Sequence, residues 1–277
     1  MSNVTINFAH ANGFPVSSYK QFMAHLPNHV RVIAKEQYGH ESRFPISHNW
    51  ENQIQEMIQF VENNADGPIY GVGHSFGALL TLITSCARPD LFKGILLIEP
   101  PAFTGWVSVA LKWFKRTGLS DKFTPSGKAR TRRAQWQANE NMVEYFRGKA
   151  LFNDFSDDAI ADYVEAATVP NQAGRTLSYK AEVEADIFKH CPHNLKSLRG
   201  QLSVPATLVT ASKQPVLNQA QVSRLLSYFP AEHHVYRGGG HLFPLEQPGA
   251  SAKFVMTMLN DLMQRAGEPL LKTEDKI

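Results

Sequence analysis

The sequence predicts an α/β fold, with a mostly parallel sheet of about six strands and helices on both faces. Apolar strand-like segments alternate with helix-like segments over 1–101 and again over 201–277, as in parallel sheets connected by crossover helices. Between them, residues 102–200 are charged, helix-like and without a strand pattern. We therefore expect a core formed by 1–101 and 201–277, and a helical insertion at 102–200. A 277-residue chain that is 43% hydrophobic is long enough for one large core.

The first half of the predicted core contains four strands. Ser17 and Ser18 are expected to cap the first helix, and apolar side chains at helical spacing predict the second. In chain order we predict strand 4–9, helix 17–26, strand 30–34, helix 50–64, strand 69–72, helix 76–87 and strand 94–98. Long helices between short apolar strands indicate parallel pairing.

The strand pattern returns after the insertion. We predict a strand over 204–210, a helix over 217–228, a strand around 234–236 and a closing helix over 249–265. Within the insertion, Ser156 is followed by two acids and is expected to cap a helix. The polar tail 272–276 is expected to be loose.

Residues 73–77 read Gly-His-Ser-Phe-Gly between a predicted strand and a predicted helix. The pattern G-x-S-x-G in this context indicates a nucleophile elbow, where glycines on both sides let strand and helix approach closely. Ser75 would then project its hydroxyl at the start of the helix. The alternative is that Ser75 only caps this helix, and it requires that no base or acid is supplied elsewhere.

Length and composition fit a catalytic domain of ordinary size. The formal net charge of +3 is too small to predict nucleic-acid binding, and no apolar stretch predicts membrane insertion. Cys86 and Cys191 lie far apart, which gives no disulfide framework and no metal spacing. Without a leader-like start, we expect a cytoplasmic protein, either monomer or homodimer, that needs no metal or organic cofactor.

Several motifs resemble those of α/β-hydrolases nearly end to end. They are His10-Ala11-Asn12-Gly13, Glu36-x-x-Gly39-His40-x-Ser42, the elbow at 73–77, Arg88-Pro89 and Gly240-His241. One departure is that the first loop comes too early for the antiparallel hairpin with which family members usually begin. The resemblance implies that Ser75 is the nucleophile and His241 its general base, because a serine hydroxyl needs a neighbouring imidazole to accept its proton. His10, His40 and His74 would position backbone, and residues 102–200 would form the helical cap (lid) that the family inserts at this place.

The third member of a triad is less obvious. The family usually carries the acid after the penultimate strand, but residues 210–215 contain no carboxylate and Gln214 occupies the expected position. Glu99 directly follows strand 94–98, where some family members carry the acid, and the order serine, acid, histidine is kept. The alternative is that Glu99 is a structural carboxylate paired with an arginine of the cap.

The resemblance also implies an oxyanion hole formed by two backbone N–H groups. Phe76, which follows the nucleophile, should supply one of them. Counting from His10 favours Asn12 for the second, whereas aligning the Gly-Phe-Pro triplet favours Phe14. The sequence does not decide between Asn12 and Phe14 as the second donor.

The substrate is predicted as a class. Our first hypothesis is hydrolysis of a carboxylic ester or thioester through an acyl-enzyme; the others are carbon–carbon bond cleavage on the same triad and a non-catalytic ligand-binding protein. A serine at position 75 argues against dehalogenases and epoxide hydrolases, which use aspartate there. Aromatic side chains of the cap should line an apolar acyl pocket. The segment from residue 112 to residue 133 contains eight basic residues and a single acid, Asp121. These basic residues form either a solvated helix surface or an entrance for an anionic substrate: Lys112, Lys115, Arg116, Lys122, Lys128, Arg130, Arg132 and Arg133.

Overall fold

A computed structural model describes residues 4–117 and 124–269. Asp121 and Lys122 of the basic run and the tail 272–276 lie outside the described residues. In chain order the strands are β1 (Val4–Ala9), β2 (Val30–Ile33), β3 (Ile69–His74), β4 (Phe92–Ile98), β5 (Gln135–Gln137), β6 (Thr168–Asn171), β7 (Gly174–Leu177), β8 (Ala206–Ala211) and β9 (Glu232–Tyr236).

Six of these strands form the main sheet in the order β2-β1-β3-β4-β8-β9, and every neighbouring pair is parallel. The four central strands, β1, β3, β4 and β8, are mainly apolar and almost completely buried, as expected for a sheet covered on both faces. The edge strands β2 and β9 are partly exposed. The predicted fold class is therefore confirmed. The described strands include no antiparallel partner of β1 or β2 in this sheet.

Helices cover both faces of the main sheet. The α-helices of the core are α1 (Lys20–Ala24), α2 (Glu51–Asn64), α3 (Phe76–Ala87), α9 (Gln219–Tyr228), α10 (Phe243–Glu246) and α11 (Pro248–Arg265). Apolar side chains of α2, α3 and α9 pack on one face of the sheet. Those of α1 and α11 pack on the other. These helices lie close to their predicted positions because each carries an apolar stripe of helical period.

Residues 102–200 contain the helices α4 (Trp106–Thr117), α5 (Ser126–Arg130), α6 (Met142–Arg147), α7 (Asp157–Ala167) and α8 (Ala181–Lys189). We call this segment the insertion. The expectation that it lacks strands is wrong, because β5, β7 and β6 form a small antiparallel sheet in that order. These strands are three or four residues long and β6 contains Pro170, so period-two alternation is too short to stand out from a loop.

Two predicted helix caps have different outcomes. Ser156 caps α7, since its Oγ accepts the Ala159 N–H at 3.1 Å. Ser17 and Ser18 do not cap α1. Instead, residues 16–19 form a 3-10 turn, and the Ser17 hydroxyl donates to a carboxylate oxygen of Glu36 at 2.8 Å. A short polar side chain before a helix has several possible partners, and here a loop distant in sequence supplies one.

The parallel sheet brings the loops of interest to one edge. Across neighbouring strands, Ala9 pairs with Gly73, His74 with Ile98, and Ile98 with Val209. The residues that follow β1, β3, β4, β8 and β9 therefore share the carboxyl edge of the sheet, where ligands bind in open α/β folds.

Candidate active site

Ser75 occupies a strained turn between β3 and α3. Its φ of 54° and ψ of −117° lie in a region that residues other than glycine rarely adopt. The turn depends on close backbone contacts, because a Cβ at Gly73 would lie 2.4 Å from the carbonyl oxygen of Gly77. A Cβ at Gly77 would lie 2.2 Å from the carbonyl oxygen of Ala9. The geometry is that of a nucleophile elbow.

The loop after β9 brings His241 to Ser75. The Nε2 atom of His241 lies 3.0 Å from the Ser75 Oγ, and its Nδ1 lies 3.2 Å from Oε2 of Glu99. The Gly240 N–H donates to the Glu246 carboxylate at 3.0 Å, which fixes the turn just before the histidine. The structure thus brings together Ser75, His241 and Glu99, three residues that are far apart in sequence.

The Glu99 carboxylate is completely buried and accepts three hydrogen bonds. The Ala211 N–H donates to Oε1 at 2.7 Å, and the Val216 N–H donates to Oε2 at 2.8 Å, beside His241. Among the described residues, which include every arginine of the chain, none forms an ion pair with Glu99 other than His241. The structural alternative, a pair with an arginine of the insertion, is therefore wrong.

The loop after β8, where the family usually carries its acid, instead donates backbone N–H groups to the carboxylate of Glu99. Gln214 has a left-handed φ of 46° and an exposed side chain within this loop. Glu99 also has a left-handed φ, 51°, and its backbone N–H donates to the Val209 carbonyl at 2.8 Å. Strained backbone at both Ser75 and Glu99 is typical of residues that the surrounding structure holds for function.

The hydrogen bonds of His241 determine its tautomer. A buried carboxylate only accepts hydrogen bonds, so Nδ1 of the neutral ring carries the proton and donates a hydrogen bond to Glu99. Its Nε2 is then free to accept a proton from the Ser75 hydroxyl. This is the arrangement that a general base requires.

The side chain of His74 positions the backbone of His241. Its Nε2 lies 2.9 Å from the His241 carbonyl oxygen, and its Nδ1 lies 2.7 Å from the Tyr19 hydroxyl. The Tyr19 oxygen also accepts the Ala11 N–H at 3.1 Å. One pattern satisfies all three contacts: Tyr19 donates to Nδ1, and Nε2–H donates to the carbonyl. Burial lowers the pKa of His74 to about 3, so the ring stays neutral in this role.

The other two motif histidines also bind backbone. His10 Nδ1 lies 2.8 Å from the Ala11 carbonyl oxygen, and its Nε2 accepts the Tyr38 N–H at 3.1 Å. Burial lowers the pKa of His10 to about 4. His40 Nδ1 lies 3.0 Å from the Tyr38 carbonyl oxygen, and its Nε2 accepts the Lys180 N–H at 3.1 Å, which connects the core to the insertion.

The loop after β1 distinguishes the two oxyanion-hole candidates. The Phe14 N–H donates to the Ala11 carbonyl at 3.1 Å within a turn, so it is not free for a substrate. In the part of the chain that the structure describes, no protein atom accepts a hydrogen bond from the backbone N–H of Asn12 or Phe76. The His10 carbonyl accepts the Gly77 N–H at 3.1 Å and thereby holds this loop against the first turn of α3. The geometry favours Asn12 over Phe14.

The insertion packs on the same loop. The side-chain amide of Asn12 donates to the Glu184 carbonyl at 2.9 Å. The Phe14 ring lies 5.0 Å from that of Tyr163 and 6.1 Å from that of Phe152, measured between centroids. Residues 102–200 therefore contact the loop that would form the oxyanion hole.

The basic run is not uniformly cationic. Three of its arginines form ion pairs with acids from elsewhere in the insertion: Arg130 with Asp186 at 2.9 Å, Arg132 with Glu184 at 2.7 Å, and Arg133 with Glu140. The excess charge at this end of the run is therefore largely compensated. The remaining cations belong mainly to α4.

Comparisons with known proteins identify the family of this chain. A sequence model of the alpha/beta hydrolase family matches residues 8–254. The chain belongs to the alpha/beta hydrolase family. The family implies a small-molecule substrate, and the lipases among its relatives support a hydrolase.

This alpha/beta hydrolase is similar to two curated lipases. It is 26% identical to (lyso)-N-acylphosphatidylethanolamine lipase of Bos taurus over 229 residues, 74% of this chain and 66% of that protein. It is 32% identical to lipase LipV of Mycobacterium tuberculosis over 78 residues, 27% of this chain and 29% of that protein. The chain thus spans less than two thirds of the length of both relatives.

Solved alpha/beta hydrolases share the fold. The crystal structure of E-2-(acetamidomethylene)succinate hydrolase aligns at a TM-score of 0.72 with 17% identity, covering 92% of this chain and 91% of that chain. At this identity the likeness shows the fold alone. Within 4–117 and 124–269, no three His, Cys, Asp or Glu side chains are grouped to hold a metal ion. None of the helices in these ranges combines the length and apolarity needed to cross a bilayer.

Proposed function

We propose that this protein is a serine hydrolase that cleaves a carboxylic ester or thioester through an acyl-enzyme, with Ser75, His241 and Glu99 as its catalytic triad. The observation that carries the proposal is the 3.0 Å contact between Ser75 Oγ and His241 Nε2, with Glu99 on the opposite side of the ring. A serine alcohol becomes a competent nucleophile only when such a base accepts its proton.

The reaction follows from the hydrogen-bond directions. Ser75 Oγ attacks the carbonyl carbon while its proton passes to Nε2 of His241. The buried Glu99 carboxylate stabilises the imidazolium that forms. His241 then protonates the departing alcohol or thiol, which leaves an ester on Ser75. Water, deprotonated by His241, hydrolyses this acyl-enzyme and restores the serine.

We assign the oxyanion hole to the N–H groups of Phe76 and Asn12. Both are free of protein acceptors among the described residues, and they lie on neighbouring elements held together by the Gly77 to His10 hydrogen bond. Such donors stabilise the charge that develops on the carbonyl oxygen. We further propose that residues 102–200 act as the cap of the active site, because they contact the Asn12 and Phe14 loop.

Labelling and turnover of the purified protein test this proposal. A fluorophosphonate should label one serine, and p-nitrophenyl butyrate should give a burst of one nitrophenolate per protein. Ser75→Ala should abolish both, whereas Ser223→Ala, on the exposed face of α9, should retain both. Labelling without ester turnover would shift the substrate class to carbon–carbon bonds. Absence of both labelling and turnover in the folded protein would contradict the proposal and favour a ligand-binding protein.

A further inference from the structure

The helix α4 exposes an apolar stripe. Trp106, Val109 and Trp113 are 77%, 67% and 56% exposed, although their neighbour Leu111 is buried against the core of the protein. Spacings of three and four residues place the three exposed side chains on one face of the helix. Large apolar side chains grouped in this way mark a surface that contacts another phase or partner.

A cationic cavity of about 300 Å³ lies beside this stripe. Lys112, Lys115 and Arg116 of α4 and Lys189 at the end of α8 contribute to its lining. Among the described residues, none of these four cations forms an ion pair with a carboxylate. Lys115 instead donates to the Cys191 carbonyl and lies 3.3 Å from Nδ1 of His193.

Three histidines complete the lining: His48, His190 and His193. Burial, followed by the nearby Lys115 ammonium, lowers the pKa of His193 to about 4. Burial also lowers the pKa of Lys115, to about 8. Two carboxylates oppose this effect: the charge of Glu51 raises the pKa of His48, and that of Asp186 raises the pKa of His190. Asp186 is already paired with Arg130. The cavity is therefore rich in N–H donors and positive charge, and poor in compensating acid.

The apolar stripe and the cavity adjoin each other on α4. An α-helix turns by about 100° per residue, so around the α4 axis Lys112 and Arg116 lie between Lys115, on the cavity side, and Val109, on the apolar stripe. We infer that this α4 surface, consisting of Trp106, Val109 and Trp113 with the cationic cavity, docks on an anionic phospholipid layer. A headgroup phosphate enters the cavity, and the indole rings enter the boundary between headgroups and acyl chains. Trp and basic residues on adjoining faces suit this boundary.

Charge complementarity favours a lipid layer over other occupants. A second copy that used the same surface would bring Lys112 and Arg116 towards the same cations of its partner, which opposes association. A soluble phosphate compound would occupy the cavity but would leave Trp106 and Trp113 in water. A phospholipid layer engages both parts at once. The inference stands apart from the proposed hydrolysis, because binding needs no turnover.

Tryptophan fluorescence tests the docking directly. Of the four tryptophans, Trp50 and Trp136 are 1% exposed, so a spectral change on binding reports Trp106 and Trp113. We expect vesicles of phosphatidylglycerol and phosphatidylcholine to shift the emission of the Ser75→Ala protein to shorter wavelength and to carry it into the pellet. Pure phosphatidylcholine vesicles should do so far less. Trp106→Ala with Trp113→Ala should remove the shift and weaken co-sedimentation at least tenfold, an order-of-magnitude expectation for two buried indoles.

A charge-matched pair of variants separates the cavity from general charge. Lys112→Gln with Arg116→Gln should weaken binding to the anionic vesicles about 30-fold, since each cation near such a surface is worth about 1 kcal/mol. Lys128→Gln with Lys253→Gln removes the same charge from exposed sites elsewhere and should change binding less than about threefold. Thermal melting checks that both proteins are folded.

Several results would overturn the inference. They are equal binding to neutral and anionic vesicles, equal losses in the two Gln pairs, and a protein that binds glycerol phosphate but shows no spectral shift with anionic vesicles. Dimerisation through the tryptophans in the absence of vesicles, seen by light scattering, would assign the surface to a second copy instead.

Discussion

Replacing Glu99 by Gln tests the proposed triad most directly. The carboxylate accepts three hydrogen bonds: Oε1 accepts one from Ala211, and Oε2 accepts one from Val216 and one from His241. The amide of Gln has one accepting oxygen and one donating NH₂, so it cannot reproduce all three. Because Glu99 is completely buried, water cannot replace what is lost.

Either orientation of the new amide has a defined consequence. With its oxygen beside His241, the NH₂ faces the Ala211 N–H, a buried donor–donor contact that destabilises the fold by about 1–3 kcal/mol. With its NH₂ beside His241, Nδ1 must become an acceptor, and the proton moves to Nε2, where it blocks proton transfer from Ser75. Both orientations remove the negative charge that stabilises the imidazolium. We expect kcat to fall about 10³- to 10⁴-fold, equivalent to about 4–5.5 kcal/mol in the barrier.

The assay is the steady-state and burst kinetics of p-nitrophenyl butyrate hydrolysis, together with the rate of fluorophosphonate labelling. Glu246→Gln is the matched control, because this carboxylate accepts the Gly240 N–H beside His241 without a hydrogen bond to the ring. We expect it to lower kcat less than about tenfold. A Glu99→Gln protein that retains kcat within tenfold of the original, or a Glu246→Gln protein that loses as much, would refute the assignment of Glu99.

Three further predictions concern the residues around the triad. Tyr19→Phe removes the donor to His74 and should lower the free energy of unfolding by about 1–3 kcal/mol in urea denaturation, with a smaller loss of kcat than any triad variant. Gly77→Ala places a Cβ 2.2 Å from a backbone oxygen of β1 and should yield little folded protein, as judged by circular dichroism and expression. Burial lowers the pKa of His74 to about 3 and of His10 to about 4, so between about pH 4 and 6.5 the unfolded chain binds protons that the native protein does not. Stability should therefore fall as pH drops through this window. From pH 6.5 to 5 the two histidines lose about 3 kcal/mol, and Glu56, whose pKa burial raises to about 7, opposes them, so these three groups give a net loss of about 1.5 kcal/mol. A flat urea profile would contradict this.

The elements of the core could be predicted because their signals are local. Apolar strands and helical stripes repeat within a few residues, and the Gly73 to Gly77 turn needs only the two glycines and Ser75 to be recognised. The parallel sheet then places Glu99 and the loop with His241 at one edge without further information. The short strands of the insertion lack such a signal, since each alternates over three or four residues only.

Contacts between distant segments could not be predicted. Nothing near Tyr19 in the sequence indicates that its hydroxyl reaches His74, which lies 55 residues away. The basic run looked uniformly cationic for a similar reason, because Glu184 and Asp186 pair with it from more than fifty residues further on. The choice between Asn12 and Phe14 depended on a single turn hydrogen bond, which is a matter of backbone geometry rather than residue type.

The acid has a structural role as well as a proposed catalytic one. Ser75, Glu99 and Gln214 all have left-handed φ values, a conformation that costs about 1–3 kcal/mol at each such residue. The Ser75 and Glu99 N–H groups continue the hydrogen bonding of neighbouring strands, and the Glu99 carboxylate ties down the loop that contains Gln214 through Ala211 and Val216. A carboxylate after β4 therefore has two roles, the second of which an acid inside the β8 loop itself would not fill. It orients His241, and it also supplies the acceptor that holds the neighbouring loop in its strained form. This is a physical reason why residues 210–215 need no acid of their own.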